Sequence, residues 1–354
     1  MQSSAFDLRR SGMSPATSSN NRILLEVRDL QTYFYLYEGV VKAVDGVSFQ
    51  IKQGQTLGVI GESGCGKSVT AQSILRITPS PPAKEVGGEI LLYLENEAGN
   101  QEVINLLELP RDGAKMRSIR GKEIAMIFQE PMTSFSPLHT IGDQIMEAIL
   151  LHYPQVTKRE ARERTIDLLR RVGIPRPNRL VDAYPHQLSG GMRQRAMIAM
   201  ALSCNPRLLI ADEPTTALDV TIEAQILDLI KDLQAEFGMA IMYISHDLAV
   251  VGEMSDEIMV MYLGRVMEHA SADEIFDNPL HPYTRALWRS IPRIDGEISS
   301  LIPIKGTLPS PYAVHKGCPF YSRCDDRIPG ICNTSRPPLR EVSPGHKVSC
   351  FLYG

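Results

Sequence analysis

The stretch that decides the fold is Gly61-Glu62-Ser63-Gly64-Cys65-Gly66-Lys67-Ser68, which follows the pattern G-x-x-x-x-G-K-S. Its glycines let backbone N–H groups turn inward onto phosphate oxygens, and the helix that begins there adds its positive end. In this pattern Lys67 reaches the β and γ phosphates, and Ser68 supplies an oxygen to Mg²⁺. A buried-type strand precedes the loop and a helix from Lys67 to about Ile77 follows it, which a plain glycine turn with a solvated lysine would not require. The stretch therefore predicts a phosphate loop that binds ATP.

Two carboxylates, Asp212 and Glu213, follow a second buried strand that begins at Leu208. Behind a phosphate loop, Asp212 is placed to hold Mg²⁺, and Glu213 lies next to the γ-phosphate to polarise an attacking water. An acidic strand end that caps the next helix is the alternative when such a pattern stands alone. His246 follows the next strand, and because the ends of parallel strands line one edge of a sheet, we expect His246 to contact the γ-phosphate.

A second anion site is predicted within Leu188–Gln194, where Ser189-Gly190-Gly191 precedes a helix. These small residues offer unencumbered N–H groups and a hydroxyl to an anion. A plain helix cap is the alternative. Because the phosphate loop already serves one nucleotide, a second anion site implies a second nucleotide.

The order of the elements predicts an α/β fold. Strand patterns at Leu24–Leu30 and Val41–Ile51 indicate an antiparallel patch, and the later alternation of strands and helices is typical of a mostly parallel sheet covered by helices. We predict an ATP-binding domain over residues 22–277 with a helical subdomain at about 130–200, after a disordered tail over 1–21. Prolines interrupt residues 278–354, which we expect to form a separate, loop-rich extension that does not support the nucleotide site.

Composition excludes several classes of protein. A formal net charge of −4 over 354 residues, with no basic stripe, argues against a nucleic-acid binder. The longest apolar stretch, Ala196–Leu202, is too short to span a bilayer. Residues 1–21 lack the apolar core of a signal peptide, so we expect a cytoplasmic protein.

Together these motifs resemble those of the nucleotide-binding subunits of ABC transporters, in family order, over roughly Leu24 to Met267. The correspondences are Gly61–Ser68 with the Walker A motif, Gln129 with the Q-loop glutamine, Leu188–Gln194 with the signature motif, Asp212 and Glu213 with Walker B, Ala217-Leu218-Asp219 with the D-loop, and His246 with the switch histidine. Phe34 resembles the aromatic residue that stacks on adenine, with Tyr33 and Tyr35 as its neighbours.

The resemblance implies a P-loop NTPase fold with a RecA-like core, an antiparallel β patch and a helical subdomain. It implies catalytic roles for Glu213, His246 and Gln129, and Mg²⁺ ligation by Ser68, Gln129 and Asp212. The nucleotide contacts that it implies are Phe34, Gly61, Glu62, Ser63, Gly64, Cys65, Gly66, Lys67, Ser68, Val69, Gln129, Asp212, Ser189, Gly190, Gly191 and Asp219.

The same resemblance implies a head-to-tail dimer, in which each ATP lies between the Walker A motif of one subunit and the signature motif of the other. It implies two transmembrane permease subunits, contacted near Gln129 on the cytoplasmic face of the membrane, and indirectly an extracellular solute-binding protein. The segment Phe128–Pro137 is similar to the form found in peptide importers, so the expected cargo is oligopeptides, dipeptides or similar small solutes. Sugars or metal complexes are the alternative cargo, and the sequence leaves open whether the partner ATPase is identical or a paralogue.

Four cysteines lie in the extension with the spacing Cys318-x5-Cys324-x7-Cys332-x17-Cys350. Four thiolates suit zinc or an iron–sulfur cluster, and this spacing alone does not choose between them. Four unligated thiols are a further alternative. The segments His281–Leu287 and Ile304–Pro311 resemble the C-terminal extension of oligopeptide and dipeptide importer ATPases, and that resemblance favours a [4Fe-4S] cluster over Zn²⁺.

Two classes of non-transport ABC ATPase are the remaining rivals. A DNA-repair or chromosome-structure ATPase would carry a long coiled coil between Ser68 and Ser189, where no sustained heptads occur. A ribosome-acting ABC protein would carry two phosphate loops, and this sequence has one. The sequence therefore favours a transport ATPase.

Overall fold

The computed structural model describes residues 22–95, 99–129, 134–216, 219–290, 304–313 and 316–354. Three predicted features lie outside the described residues: the disordered tail over 1–21, residues 130–133 after Gln129, and Ala217 and Leu218 of the D-loop. Within the described ranges, no helix is both long and apolar enough to cross a membrane.

The described strands form two sheets. In chain order the strands are β1 (Ile23–Leu36), β2 (Gly39–Lys52), β3 (Thr56–Ile60), β4 (Ala83–Glu95), β5 (Gln101–Asn105), β6 (Ile124–Ile127), β7 (Leu208–Asp212), β8 (Ala240–Ile244), β9 (Glu257–Tyr262), β10 (Arg265–Ser271), β11 (Arg340–Ser343) and β12 (His346–Val348). The smaller sheet is antiparallel with the order β2-β1-β4-β5. The predicted antiparallel patch is therefore confirmed, with two further strands that the sequence analysis missed.

The larger sheet has the order β11-β12-β10-β9-β3-β8-β7-β6. Strands β9, β3, β8, β7 and β6 run parallel to one another, as predicted, and the remaining strands are antiparallel. Strands β3, β7 and β8 are buried along their whole length, because the sheet is covered on both faces. On β7, Leu208 and Ile210 pack toward the smaller sheet, whereas Leu209 and Ala211 join the cluster formed with the helices.

Helices connect the parallel strands and cover the sheet. They are α1 (Lys67–Ile74), α2 (Ala114–Ile119), α3 (Ile141–His152), α4 (Lys158–Arg171), α5 (Pro177–Leu180), α6 (Gly190–Leu202), α7 (Val220–Phe237), α8 (Leu248–Met254), α9 (Ala272–Asp277) and α10 (Pro282–Arg289), with short 3₁₀ turns at Pro185–Gln187, Tyr321–Arg323 and Phe351–Tyr353. Helices α3 to α6 fall in the predicted helical region. Helix α1 is shorter than predicted, since Arg76 takes the left-handed conformation, with φ of 54°, soon after Ile74.

The C-terminal extension is not structurally separate, and that expectation was wrong. Strand β12 pairs with β10, so the extension lengthens the larger sheet. The buried His346 lies on this junction with its Nε2 2.7 Å from Oε1 of Glu268, which is itself fully buried. A hydrogen-bonded polar pair enclosed in this way ties the extension to the domain that carries the phosphate loop. The boundary near Asn278 stays a prediction.

Candidate functional site

The phosphate loop joins β3 to α1, in the strand–loop–helix context that the sequence predicts. Gly61 and Gly66 have φ values of 149° and 100°, where L side chains are rarely found. A Cβ on Gly61 would lie 2.2 Å from the carbonyl oxygen of Met261, and one on Gly66 would lie 2.2 Å from that of Ala43. The loop therefore requires glycine at both positions in order to keep this tight turn.

Lys67 is the first residue of α1, and its side chain folds back along the loop. Its Nζ donates hydrogen bonds to the carbonyl oxygens of Gly61, at 2.8 Å, and Glu62, at 3.3 Å. The residue is only 5% exposed. An ammonium group held beside a helix N-terminus is suited to bind phosphate groups.

Ser68 and Asp212 meet across the loop, although 144 positions separate them in the sequence. Ser68 Oγ donates a hydrogen bond of 3.0 Å to Oδ1 of Asp212 at the end of β7. Asp212 is 3% exposed, and this burial raises the pKa of its carboxyl group. A nearby divalent cation would favour the charged form, so the pair provides two of the oxygen ligands that Mg²⁺ prefers.

The side chains of Gln129 and His246, which the sequence assigns to hydrolysis, both lie next to the carboxylate of Glu213. Gln129 Nε2 donates a hydrogen bond of 2.8 Å to Oε2 of Glu213, and His246 Nδ1 lies 3.6 Å from the same oxygen. Thr216 Oγ1 also donates to this oxygen, at 3.1 Å, a contact that the sequence did not predict. The three predicted residues follow β6, β7 and β8, which are adjacent parallel strands, so their side chains converge at one edge of the sheet.

The backbone of Glu213 is held in an uncommon conformation. Its φ is 47°, in the left-handed region that non-glycine residues rarely adopt. Its N–H donates a hydrogen bond of 2.9 Å to the carbonyl oxygen of Ile244 at the end of β8. Such strain persists only where the surroundings fix it, and here it directs the carboxylate toward Gln129 and His246.

The predicted second anion site begins α6. The hydroxyl of Ser189 caps the helix by accepting a hydrogen bond from the N–H of Met192, and both Ser189 and Gly190 are exposed. A Cβ on Gly191 would lie 3.1 Å from a methyl group of Ile222, whose N–H donates to Oδ1 of Asp219. The signature segment and the D-loop aspartate therefore adjoin one another through Ile222.

Phe34 lies on β1, half-buried, opposite Val41 of β2 and Ala83 of β4. Its neighbour Tyr33 donates a hydrogen bond of 2.7 Å to Asp45, and Tyr35 is 51% exposed. A cleft opens beside the phosphate loop. Its lining includes Val41, Lys42, Gly64, Leu263 and Tyr312, but among the described residues Phe34 is not part of it. The assignment of Phe34 to adenine stays a prediction.

The remaining residues of the loop differ in their surroundings. Ser63 and Gly64 are exposed at its tip, where a ligand has access to their N–H groups. Cys65 is fully buried, which raises the pKa of its thiol and leaves it as a packing residue. Val69 packs against the core between the sheets, so only its backbone is available to a nucleotide.

Glu62 contacts the C-terminal extension, which the sequence analysis did not foresee. Its carboxylate accepts two hydrogen bonds from Arg323, and its N–H donates to the hydroxyl of Tyr283 at 2.9 Å. The ion pair and the hydrogen bond raise the pKa of the Arg323 guanidinium further above its ordinary value. No local pattern reports a contact between residues 261 positions apart.

The four cysteines of the extension line one cavity. Cys324 and Cys332 are buried, and Cys318 and Cys350 are half-buried. Burial raises the pKa of the Cys318 thiol to about 12 and that of Cys324 to about 11. Over the described ranges, no group of three or more His, Cys, Asp or Glu side chains is arranged to hold a metal ion. The four cysteines therefore converge on one place in the extension.

Two family profiles match the sequence. The one described as "ABC transporter" matches residues 44–216, and the one described as "Oligopeptide/dipeptide transporter, C-terminal region" matches residues 267–332. A probable peptide ABC transporter ATP-binding protein of Sinorhizobium fredii is 53% identical, over 93% of this chain and 95% of its own length. The oligopeptide transport ATP-binding protein AppD of Bacillus subtilis is 49% identical, over 93% of this chain and 97% of its own length.

A solved structure resembles the core of the fold. It is the dimeric structure of an ATP-binding cassette in a post-hydrolysis state, bound to ADP and Pi, with a TM-score of 0.60 and 27% sequence identity. It covers 70% of this chain and 99% of its own length. The predicted P-loop NTPase fold is thereby confirmed.

Proposed function

Because the chain belongs to the ABC transporter family, in the group of oligopeptide and dipeptide transport ATP-binding proteins, we propose a role for each part of its site in driving peptide uptake. The chain is the ATP-binding and ATP-hydrolysing subunit of an importer. Its cargo is peptides, which the relatives' names and the matching C-terminal region support over sugars or metal complexes. The observation that carries the proposed mechanism is the convergence of Gln129 and His246 on Glu213, beside the phosphate loop.

ATP binds along the loop from Gly61 to Val69 in this mechanism. The backbone N–H groups and Lys67 hold the phosphates, and Ser68 with Asp212 provides oxygen ligands for Mg²⁺, joined by the amide oxygen of Gln129. Their hard oxygen donors fit that ion. Held there, Mg²⁺ would offset the negative charge of the phosphates.

Hydrolysis is assigned to Glu213 as the general base. Its carboxylate takes a proton from a water molecule, whose oxygen forms a bond to the γ-phosphorus. The bond between that phosphorus and the oxygen of ADP breaks, which releases ADP and phosphate. Gln129 and Thr216 hold the carboxylate through their hydrogen bonds, and His246 lies on the side where the γ-phosphate is expected.

The working unit is a dimer of ATPase subunits with two membrane permeases. Ser189, Gly190 and Asp219 are exposed on a single chain, as groups that serve the ATP of a partner must be. The solved cassette that resembles this fold is itself dimeric. We place the chain at the cytoplasmic face of the membrane, where its permeases hold it through the region after Gln129, and a solute-binding protein delivers the peptide on the other side.

The four cysteines hold a [4Fe-4S] cluster in this proposal, with Zn²⁺ as the alternative. All four thiols line one cavity, and either a zinc ion or a cluster would take thiolate ligands from them. The match to the C-terminal region of oligopeptide and dipeptide transporters supports the cluster over zinc. Bound to Cys318, Cys324, Cys332 and Cys350, either group would stabilise a segment that has little core of its own.

Uptake in cells tests the cargo. A strain that lacks this chain should lose uptake of a radiolabelled tripeptide, and the wild-type gene should restore it. The Lys67→Ala variant, expressed at the same level, should not restore it, because the phosphates lose their cation. Uptake of a labelled sugar serves as the control and should not change. Loss of sugar or metal-complex uptake with normal peptide uptake would contradict the proposed cargo while leaving the ATPase role intact.

A further inference from the structure

A buried arginine of the extension, Arg323, is hydrogen-bonded to the phosphate loop. Arg323 Nη1 and Nη2 donate to the two carboxylate oxygens of Glu62, at 2.6 and 3.0 Å. Its third nitrogen, Nε, donates to the carbonyl oxygen of Lys305 at 2.9 Å. The side chain of Arg323 is 4% exposed, and that of Glu62 is 27% exposed. A paired geometry of this kind fixes both partners in place.

Glu62 is bonded both to this arginine and to Lys67, the phosphate-binding lysine. Its carbonyl oxygen accepts a hydrogen bond from Lys67 Nζ, and its N–H donates to the hydroxyl of Tyr283. The same carbonyl oxygen also accepts a hydrogen bond of 3.2 Å from the N–H of Cys65. The carboxylate and the N–H of Glu62 therefore bond to the extension, whereas its carbonyl oxygen bonds within the loop.

Aromatic packing supports the arginine. The guanidinium carbon lies 5.8 Å from the ring centre of Tyr262 and 6.0 Å from that of Phe320, within range of a cation–π contact. Tyr262, Tyr283 and Phe320 also contact one another and are almost fully buried. Phe320 and Arg323 lie between Cys318 and Cys324. The position of the guanidinium group therefore depends on whether this cysteine-bearing segment is structurally ordered.

Charge gives this contact a consequence for ATP. The carboxylate of Glu62 is an anion within the loop that is proposed to bind the phosphates of another anion, and like charges repel. Arg323 is paired with that carboxylate through two charged hydrogen bonds, and it donates them from the buried side. Without it, the loop would keep an unpaired negative charge.

We propose that Arg323 is a positioning residue for the phosphate loop, which holds and neutralises Glu62, so that the cysteine-bearing extension sets the affinity for ATP. This inference rests on the proposed nucleotide site at Gly61–Val69. It links the phosphate loop to the C-terminal extension. A disordered extension would weaken nucleotide binding but would leave the carboxylate of Glu213 in place.

The test measures the affinity of the purified full-length chain for MgATP by calorimetry. Arg323→Gln should weaken binding about tenfold, a change of about 1.4 kcal/mol. Glu62→Gln should weaken binding less than Arg323→Gln does, because it removes the repelling charge together with the ion pair. The double variant should recover at least threefold over Arg323→Gln alone, a rescue that mere loss of packing would not give.

Controls separate this effect from unfolding. Arg327→Gln removes the same charge four positions away, from an exposed side chain that does not contact Glu62, and should bind ATP as wild type does. Thermal unfolding of each variant reports stability separately from affinity. An Arg323→Gln affinity within twofold of wild type, or a double variant as weak as Arg323→Gln alone, would overturn the inference. A wild-type chain that does not bind ATP would instead refute the proposed nucleotide site, and this inference with it.

Discussion

Replacing Glu213 by glutamine removes a single proton acceptor and little else. The side chain is 16% exposed, and the amide oxygen of glutamine can still accept the hydrogen bonds from Gln129 and Thr216. The uncommon φ of 47° is equally available to glutamine, because the two side chains have the same shape. We therefore expect the fold and the affinity for ATP to be kept.

The rate of hydrolysis should fall much further. Loss of a general base typically reduces a rate by about 10²–10⁴-fold. At about 1.36 kcal/mol for each factor of ten, this is a rise of about 2.7–5.4 kcal/mol in the activation barrier. Binding should change by less than about threefold, since Lys67, Ser68 and the loop N–H groups are untouched. Because ATP stays bound without being hydrolysed, the closed dimer should accumulate.

Phosphate release by the assembled transporter measures the rate, and calorimetry on the isolated chain measures binding. Glu253→Gln makes the same chemical change on α8, at a side chain that is 65% exposed and pairs with Lys231, and should retain full activity. A Glu213→Gln transporter that hydrolyses ATP within tenfold of the wild-type rate would refute the assignment of the base. A variant that no longer binds ATP would show that Glu213 supports the nucleotide rather than the water.

Three further predictions follow from other parts of the chain. Gly190→Asp should abolish hydrolysis by the assembled complex but leave ATP binding to the monomer unchanged. A Cβ at this position meets nothing within 4 Å, and the added carboxylate would repel only the partner's ATP. Loss of ATP binding by the monomer would contradict this prediction. The hydrogen bond from His269 holds the pKa of Glu257 at about 2, below the ordinary 4.5, so Glu257→Gln should cost about 2 kcal/mol at pH 7 by urea unfolding. That difference should be full above pH 4.5 and shrink as the pH falls toward 2, and a pH-independent difference would argue against the lowered pKa of Glu257. Anaerobically purified chain should contain about four iron atoms, which Cys332→Ser should release; one zinc per chain would select the alternative, and metal-free wild type would refute both.

The convergence of Gln129 and His246 on Glu213 was predictable because it follows from strand order. Gln129, Glu213 and His246 each follow a short apolar strand, and adjacent parallel strands bring their ends to one edge. Local sequence is enough to find such residues once the sheet is recognised. Thr216 was missed because a threonine three residues after Glu213 looks like any residue of a turn.

The extension was misjudged for a physical reason. Proline-rich sequence indicates loops, and the three residues of β12 are too few to give a period-two pattern that the eye or a count can detect. Pairing of β12 with β10 depends on tertiary packing around His346 and Glu268 rather than on local propensity. The strands β4 and β5 were missed likewise, since the prolines before Ala83 indicated only the end of a helix.

The site receives contacts from two directions, and they reach different atoms. Gln129, at the start of the segment expected to face the permeases, bonds to the carboxylate of Glu213, the proposed general base. Arg323, in the cysteine-bearing extension, bonds to Glu62, whose carbonyl oxygen holds the phosphate-binding lysine. Events at the membrane should therefore act on the rate of hydrolysis, while the state of the extension should act on the affinity for ATP. Different residues therefore transmit events at the membrane and the state of the cysteine-bearing extension to the nucleotide. An importer of this kind can respond to an arriving peptide independently of the state of that extension.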